Sequence, residues 1–236
     1  MRKAYLIFFL LVTGRLLSGQ VLELDYSFGY GNNTLDDLRV FQTEMRVYAA
    51  EYPMQSVKTF PPYFNHSLSA DFMIASKHGL GVIWTYMTTG ARNSLADYSG
   101  AMAQDYILNG HKFGVAYKRL IPAGQHLNFY VQLRFGLISS KLKIHEWMRL
   151  YETDYTFDDY NDFKSTGLFM EPRAGVRYFI TKNLALHAGF GYESDTESDL
   201  WYKIGDEKYS PVHGNGDRVK LDWSGYRASV GLTLAL

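Results

Sequence analysis

Leu127-Asn128-Phe129-Tyr130-Val131-Gln132-Leu133-Arg134-Phe135-Gly136-Leu137 is the stretch whose pattern decides the fold. Every second residue is apolar. The residues between them are Asn128, Tyr130, Gln132, Arg134 and Gly136. Successive side chains of a strand point to opposite faces. One face of this strand is therefore wholly apolar, and the other carries amide, phenol and guanidinium groups. The run is as long as a tilted strand needs to cross a bilayer, roughly 9–11 residues.

The same alternation recurs along the chain. Eight strands are expected: 21–30, 66–76, 80–88, 107–121, 127–138, 168–180, 184–193 and 223–236. The connections alternate between short ones rich in turn formers (77–79, 122–126, 181–183) and long ones (31–65, 89–106, 139–167, 194–222). Short turns at one end and long loops at the other are the topology of an up-and-down transmembrane barrel. The fold class is all-β, an eight-stranded antiparallel barrel. Its even strand count puts both termini at the short-turn, periplasmic end. Pro172 lies inside the sixth strand, where it cannot donate a ladder hydrogen bond, so either a bulge near the outer rim or a later strand start is expected.

Composition narrows the class further. Arg2 and Lys3 precede an apolar run from Ala4 to Val12, and small residues Gly14, Ser18 and Gly19 follow. The run is too short for a spanning helix, so residues 1–19 are expected to be a cleaved signal peptide and 20–236 the barrel. With no cysteine, the chain has no disulfide, thiolate metal site or acylated lipoprotein anchor. The 24 basic and 24 acidic residues become 21 and 24 once 1–19 are set aside. No basic stripe is present, which argues against a nucleic-acid partner. Nineteen tyrosines make the chain rich in the residues that settle at a membrane–water interface. Tyr30, Tyr86, Tyr178, Tyr192 and Trp223 fall near expected strand ends, as girdle residues would.

Two functions turn on which face is inside. A secreted lipocalin-like carrier would line a ligand cavity with the apolar face, whereas a membrane barrel turns that face outward. Three features favour the membrane: the continuous apolar face, the aromatics at strand ends, and the unequal loops. The opposite face then lines the lumen. It carries Glu23, Asp25, Asp71, Glu171 and Glu193 against Lys112, Lys118, Arg134, Arg173, Arg177 and Arg227, with His187 among them. An eight-stranded barrel is only wide enough to be filled by side chains, and unpaired charges there are costly. These residues are expected to form an ion-pair network that plugs the lumen.

The pattern resembles the small eight-stranded outer-membrane barrels of the OmpA, OmpX and OmpW type, and more closely the outer-membrane barrel proteins of Bacteroidota. The segments that carry the likeness are Gln20 after the leader, Phe60-Pro61-Pro62-Tyr63, Thr88-Thr89-Gly90-Ala91-Arg92 and Asp97-Tyr98-Ser99-Gly100. The resemblance implies insertion by a barrel-assembly machinery, a place among outer-membrane lipid and lipopolysaccharide, a monomer, and no cofactor. It carries no activity to named residues. Such barrels commonly end in an aromatic residue, and this chain ends in Leu236.

Enzymatic chemistry finds little support. Lipid A deacylases resemble a His-x-Ser arrangement. Here His66 is followed directly by Ser67, which belongs on the opposite face. His187 and Glu193 share a face but stand about 20 Å apart along a strand. No HExxH or phosphate-binding glycine loop occurs. Asp154, Asp158, Asp159 and Asp162 lack the EF-hand order and central glycine, and read as a solvated loop or as a weak divalent-ion contact beside lipopolysaccharide phosphates. The aromatics of that loop, Trp147, Tyr151, Tyr155, Phe157 and Tyr160, are expected to pack on one another.

Overall fold

A computed structural model describes residues 21–48, 54–74 and 77–236. The expected leader lies outside the described residues, as do Ala75 and Ser76 at the end of the second expected strand. Eight strands form one ring: β1 (Val21–Gly31), β2 (Tyr63–Ile74), β3 (His78–Ala96), β4 (Gly100–Pro122), β5 (Leu127–Leu150), β6 (Thr156–Phe179), β7 (Leu184–Asp195) and β8 (Gly225–Ala235). Each pairs antiparallel with its sequence neighbour. β8 closes the ring on β1, with Tyr26 facing Leu232 and Phe28 facing Val230.

The strands are of two lengths. β1, β2, β7 and β8 have 11 or 12 residues, while β3 to β6 have 19 to 24. This corrects the expected long loops at 89–106 and 139–167. They are hairpin extensions in which Ala96 still faces Ala101 and Arg149 still faces Thr156. The connection 31–65 also has structure. It holds α1 (Asp36–Tyr48) and a short strand, Gln55–Lys58, that pairs with the outer end of β3. Acidic Asp36 and Asp37 in the first turn and basic Arg46 in the last suit the helix dipole. Leu38, Phe41 and Met45 recur at helical spacing and place one apolar stripe inward. The connection 195–224 carries a two-residue pairing of Ser198–Asp199 with Lys220–Leu221 and a small hairpin, Tyr202–Ile204 with Glu207–Tyr209.

Two further expectations are corrected. No bulge occurs at Pro172: it keeps its place opposite Leu133 on β5, and pairing toward β7 lapses between Met170↔Ser194 and Arg173↔Gly191 without a register shift. A residue without an N–H interrupts one ladder and leaves the other intact. Trp223 is no girdle residue. It precedes β8, is fully buried, and donates from Nε1 to Ser140 Oγ at 2.9 Å.

Burial alternates along β5 from Phe129 to Ile144, but the chemistry on each face changes. From Phe129 to Leu137 the outward residues are apolar and about half exposed. From Ser139 onward the outward residues are Ser139, Lys141, Lys143 and His145, and the inward ones are Ile138, Ser140, Leu142 and Ile144. The lower part is thus apolar outside and ionic inside. The upper part, hereafter the cap, is polar outside and apolar inside. Leu35, just before α1, and Leu38 and Phe41 of α1 join Leu108, Leu142 and Trp223 in the cap core. Burying a Leu or Phe side chain contributes roughly 1.5–3 kcal/mol in water, so the cap has an ordinary reason to fold. The lower belt has none unless lipid surrounds it: Phe113, Val115, Phe129, Phe135, Phe190 and Val230 all face outward.

Candidate functional site

The inward positions of the belt carry all twelve charged or titratable residues expected in the lumen. The strands deliver them as two clusters. Nearer the short turns, Lys118 of β4 reaches across to β1 and β2. Its Nζ is 2.9 Å from Glu23 Oε2, 2.9 Å from Asp25 Oδ2 and 2.6 Å from Asp71 Oδ2. Arg177 of β6 donates to Glu23 Oε1 at 2.7 Å. Ser69 and Thr233 donate hydroxyl hydrogen bonds to Asp25. His187 lies within reach of Thr233 Oγ1, at 3.1 Å, so it meets the cluster through a hydroxyl and makes no direct ion pair. The carboxylate oxygens of Glu23, Asp25 and Asp71 lie within 4.8 Å of one another, a spacing that suits a metal ion. Lys118 Nζ already stands at that position.

Farther out, Glu193 pairs with Lys112 and with Arg227, whose Nη2 is 2.9 Å from Oε1. Arg227 also donates to the carbonyls of Trp223 at 2.7 Å and Asn32 at 2.9 Å. Glu171 lies 3.5 Å from Arg173 and 3.7 Å from Arg134. Arg134 donates to Gln132 at 2.9 Å, and Arg173 donates to Ser229. The inner cluster has three carboxylates against two cations, and the outer has two against four. Removing one partner of such a buried pair leaves a charge with no water to solvate it, so the clusters are obligatory once formed.

Space is as restricted as charge. Tyr130 lies across Gly175 and Gly189, where an added Cβ would come within 2.6 and 2.2 Å of its ring or hydroxyl. The void among Asp25, Lys118, Tyr130, Arg134, Arg173 and Arg177 measures about 20 Å³, near the volume a single water centre needs. Above the outer cluster stand Tyr63, Met87, Phe169 and Trp223, all buried. Tyr63 meets Trp223 edge-on at 5.1 Å, and the Arg227 guanidinium lies 5.1 Å over the Tyr63 ring. Sequence reasoning missed this roof. Its signal was adjacent apolar pairs, Tyr86-Met87, Leu137-Ile138 and Leu168-Phe169, where the apolar character crosses from the outer to the inner face.

The cap has its own electrostatic tie. His213 is buried between two residues of α1, with Nδ1 2.7 Å from Glu44 Oε2 and Nε2 3.1 Å from Asp37 Oδ1. Burial opposes its charged form, but the hydrogen bonds to Glu44 and Asp37 outweigh that and hold its pKa above the ordinary histidine value.

The other residues singled out by sequence fall elsewhere. His66 faces outward, 2.9 Å from the Tyr26 hydroxyl, while Ser67 faces inward and bonds Thr85. The pair shares no site. Asp158 bonds His145 and Asp162 pairs with Lys141 along β6, while Asp154 lies in the turn before it, so the acidic stretch is spread along the hairpin end. The aromatics there do not pack as a group. Tyr151, Tyr155, Phe157 and Tyr160 are exposed, and the one stacking contact is Tyr160 on His145 at 4.2 Å. Tyr30, Tyr178 and Tyr192 are exposed at belt ends, as expected.

A closed eight-stranded antiparallel barrel with an apolar outside and ionic residues on its inner face is an integral outer-membrane β-barrel, and that is the class of this protein. A lipocalin-like carrier has the opposite polarity and is excluded by Phe129, Leu133 and Phe135 facing out and Arg134 facing in. No family model matches the chain, and no curated protein matches it in sequence. Among solved structures it is similar to Neisserial surface protein A, at 15% identity over 92% of this chain and 97% of that one, TM-score 0.46. It is also similar to the outer membrane protein OprG from Pseudomonas aeruginosa, at 12% identity over 92% and 95%, TM-score 0.48. Ail, the attachment invasion locus protein of Yersinia pestis, gives 12% identity over 92% and 97%, TM-score 0.36. The class follows from this chain's own register and polarity.

Proposed function

We propose that this protein is a non-enzymatic outer-membrane barrel whose lumen is shut by its ion pairs and whose folded cap acts at the cell surface, structurally or by contact. The supporting observation is the filled cross-section: two ion clusters in series, a void of about 20 Å³ between them, and a roof of Trp223, Tyr63 and Phe169. A hydrated ion following this route would have to displace Lys118 from three carboxylates and then pass an apolar layer. Planar-bilayer recording of the pure protein tests closure. No steady conductance is expected, and a large, steady open level would overturn it.

The non-enzymatic part is supported by the separation of His66 from Ser67 across the barrel wall. A serine nucleophile needs its base within hydrogen-bond reach. Lipid A mass spectra from cells with and without the gene should be identical; a missing or added acyl chain would contradict this.

A further inference from the structure

The outer boundary of the apolar belt is not uniform around the barrel. On β5 the last outward apolar residue is Leu137, and its partner on β6 is Leu168. The next outward positions on these two strands are Ser139 and Thr166, then Lys141 facing Lys164, then Lys143 facing Asp162. All lie on the outer surface. The first outward residues beyond the belt on neighbouring strands bear no fixed charge: His111 and Asn109 on β4, Thr88 on β3, Ser194 on β7. Farther up, Arg92 of β3 also points outward, but Asp105 of β4 accepts two hydrogen bonds from it. Among the described residues of β3 to β6, the outward positive charge nearest that boundary that lacks such a partner lies on the β5–β6 wall.

Two features make this trio more than scattered surface lysines. Lys141 and Lys164 are direct cross-strand partners, an arrangement in which like charges repel. Asp162 offsets one charge by pairing with Lys141. Among the described residues, Lys143 and Lys164 have no carboxylate within ion-pair distance. Lys141 and Lys164 stand four residues, and Lys143 six, beyond the last lipid-facing leucines, and their long stems can reach back toward the headgroup phosphates of the outer leaflet.

We propose that Lys141, Lys143 and Lys164 form a binding site for the phosphate of an acylated outer-leaflet lipid, whose chains lie along Leu137 and Leu168. The proposal rests on the membrane reading. Heat-modifiable migration on a gel, measured on the same samples, separates a failure of that reading from a failure of this site.

The test uses the full chain in zwitterionic detergent micelles and counts bound lipid by native mass spectrometry. Phosphorylated lipid A and its dephosphorylated form are the probes. The wild type should retain the phosphorylated form at least tenfold better, and the preference should weaken between about 0.1 and 1 M salt as the screening length falls from about 10 to about 3 Å. Inorganic phosphate at equal concentration should not compete, because it lacks acyl chains. The triple change K141Q/K143Q/K164Q should lower retention about tenfold or more, at roughly a factor of five per surface lysine. Lys182→Gln, at the opposite end of the barrel, should change nothing. D162N, which frees Lys141, should raise retention. Equal retention of the two lipids by the wild type, a triple variant within twofold of wild type, or full competition by inorganic phosphate would each overturn the site. The first and third readouts need no variant, so they stand even if the triple variant fails to fold.

Discussion

The belt and the cap are built on the same four strands with opposite instructions. In β5, Phe129 to Leu137 put apolar groups out and Gln132 and Arg134 in, whereas Ile138 to Ile144 put apolar groups in and Lys141 and Lys143 out. Neither register nor strand direction changes between the two halves. The solvent must therefore change, from lipid to water. One backbone ladder serves both because a strand's hydrogen bonds are indifferent to which face is wet. The comparison also separates two ways of filling a barrel. Below, charged side chains from facing strands pair with one another across the interior. Above, the space is filled mainly by a hydrophobic core formed with α1 and Trp223.

Variants can break this contrast from either side. The largest effect is expected at Lys118→Met, which leaves Glu23, Asp25 and Asp71 facing one another without their shared cation. Losing one partner of a buried ion group costs about 3–5 kcal/mol, and urea titration of the micelle-bound barrel, followed by gel migration, should show it. Leu142→Ala, in the cap core, should cost about 2–5 kcal/mol, but only to the cap. Protease access to α1 should rise while the belt keeps its heat-modifiable migration. Phe135→Lys should cost about 2–4 kcal/mol because it places a charge against lipid. The reciprocal change Lys143→Phe, in water, should leave unfolding nearly unmoved.

The smallest effect is a pH dependence at His213. Its folded pKa is raised, so protonated His213 ties α1 to the 195–224 segment. That contribution is complete below the unfolded value of 6.5 and is lost as pH rises through the folded pKa. Cleavage within α1 should therefore quicken toward alkaline pH relative to His213→Gln under the same protease. An equal pH response in both proteins would remove His213 from the account.

The eight strands were legible because period-two alternation is a strong signal when one face must meet lipid. Leu127 to Leu137 shows it best. The cap was not legible for the same reason. At Leu137-Ile138 the apolar positions change faces, which breaks the alternation, and the segment beyond it reads as loop. Leu168-Phe169 and Tyr86-Met87 repeat the event on β6 and β3. α1 was visible in principle from Asp36 and Asp37 ahead of Leu38, Phe41 and Met45, but it sat inside a stretch taken as loop. Trp223 was misplaced because an aromatic at a strand end fits a girdle as well as a core, and sequence does not say which side of the wall it is on. His187 was expected among the ion pairs, yet it reaches Asp25 only through Thr233. That distinction depends on side-chain geometry no pattern carries.

The native chain has no cysteine, so single cysteines placed one at a time from 128 to 149 give a scan without background. Spin labels on these sites in a bilayer, read for collision with dissolved oxygen and with a water-soluble nickel complex, test the face exchange directly. Labels at 129, 131, 133, 135 and 137 should meet oxygen, those at 139, 141 and 143 should meet nickel, and those at 132, 134, 138 and 142 should meet neither. Nickel reaching 131, 133 and 135 while 132 and 134 collide with oxygen would show the polarity to be the reverse.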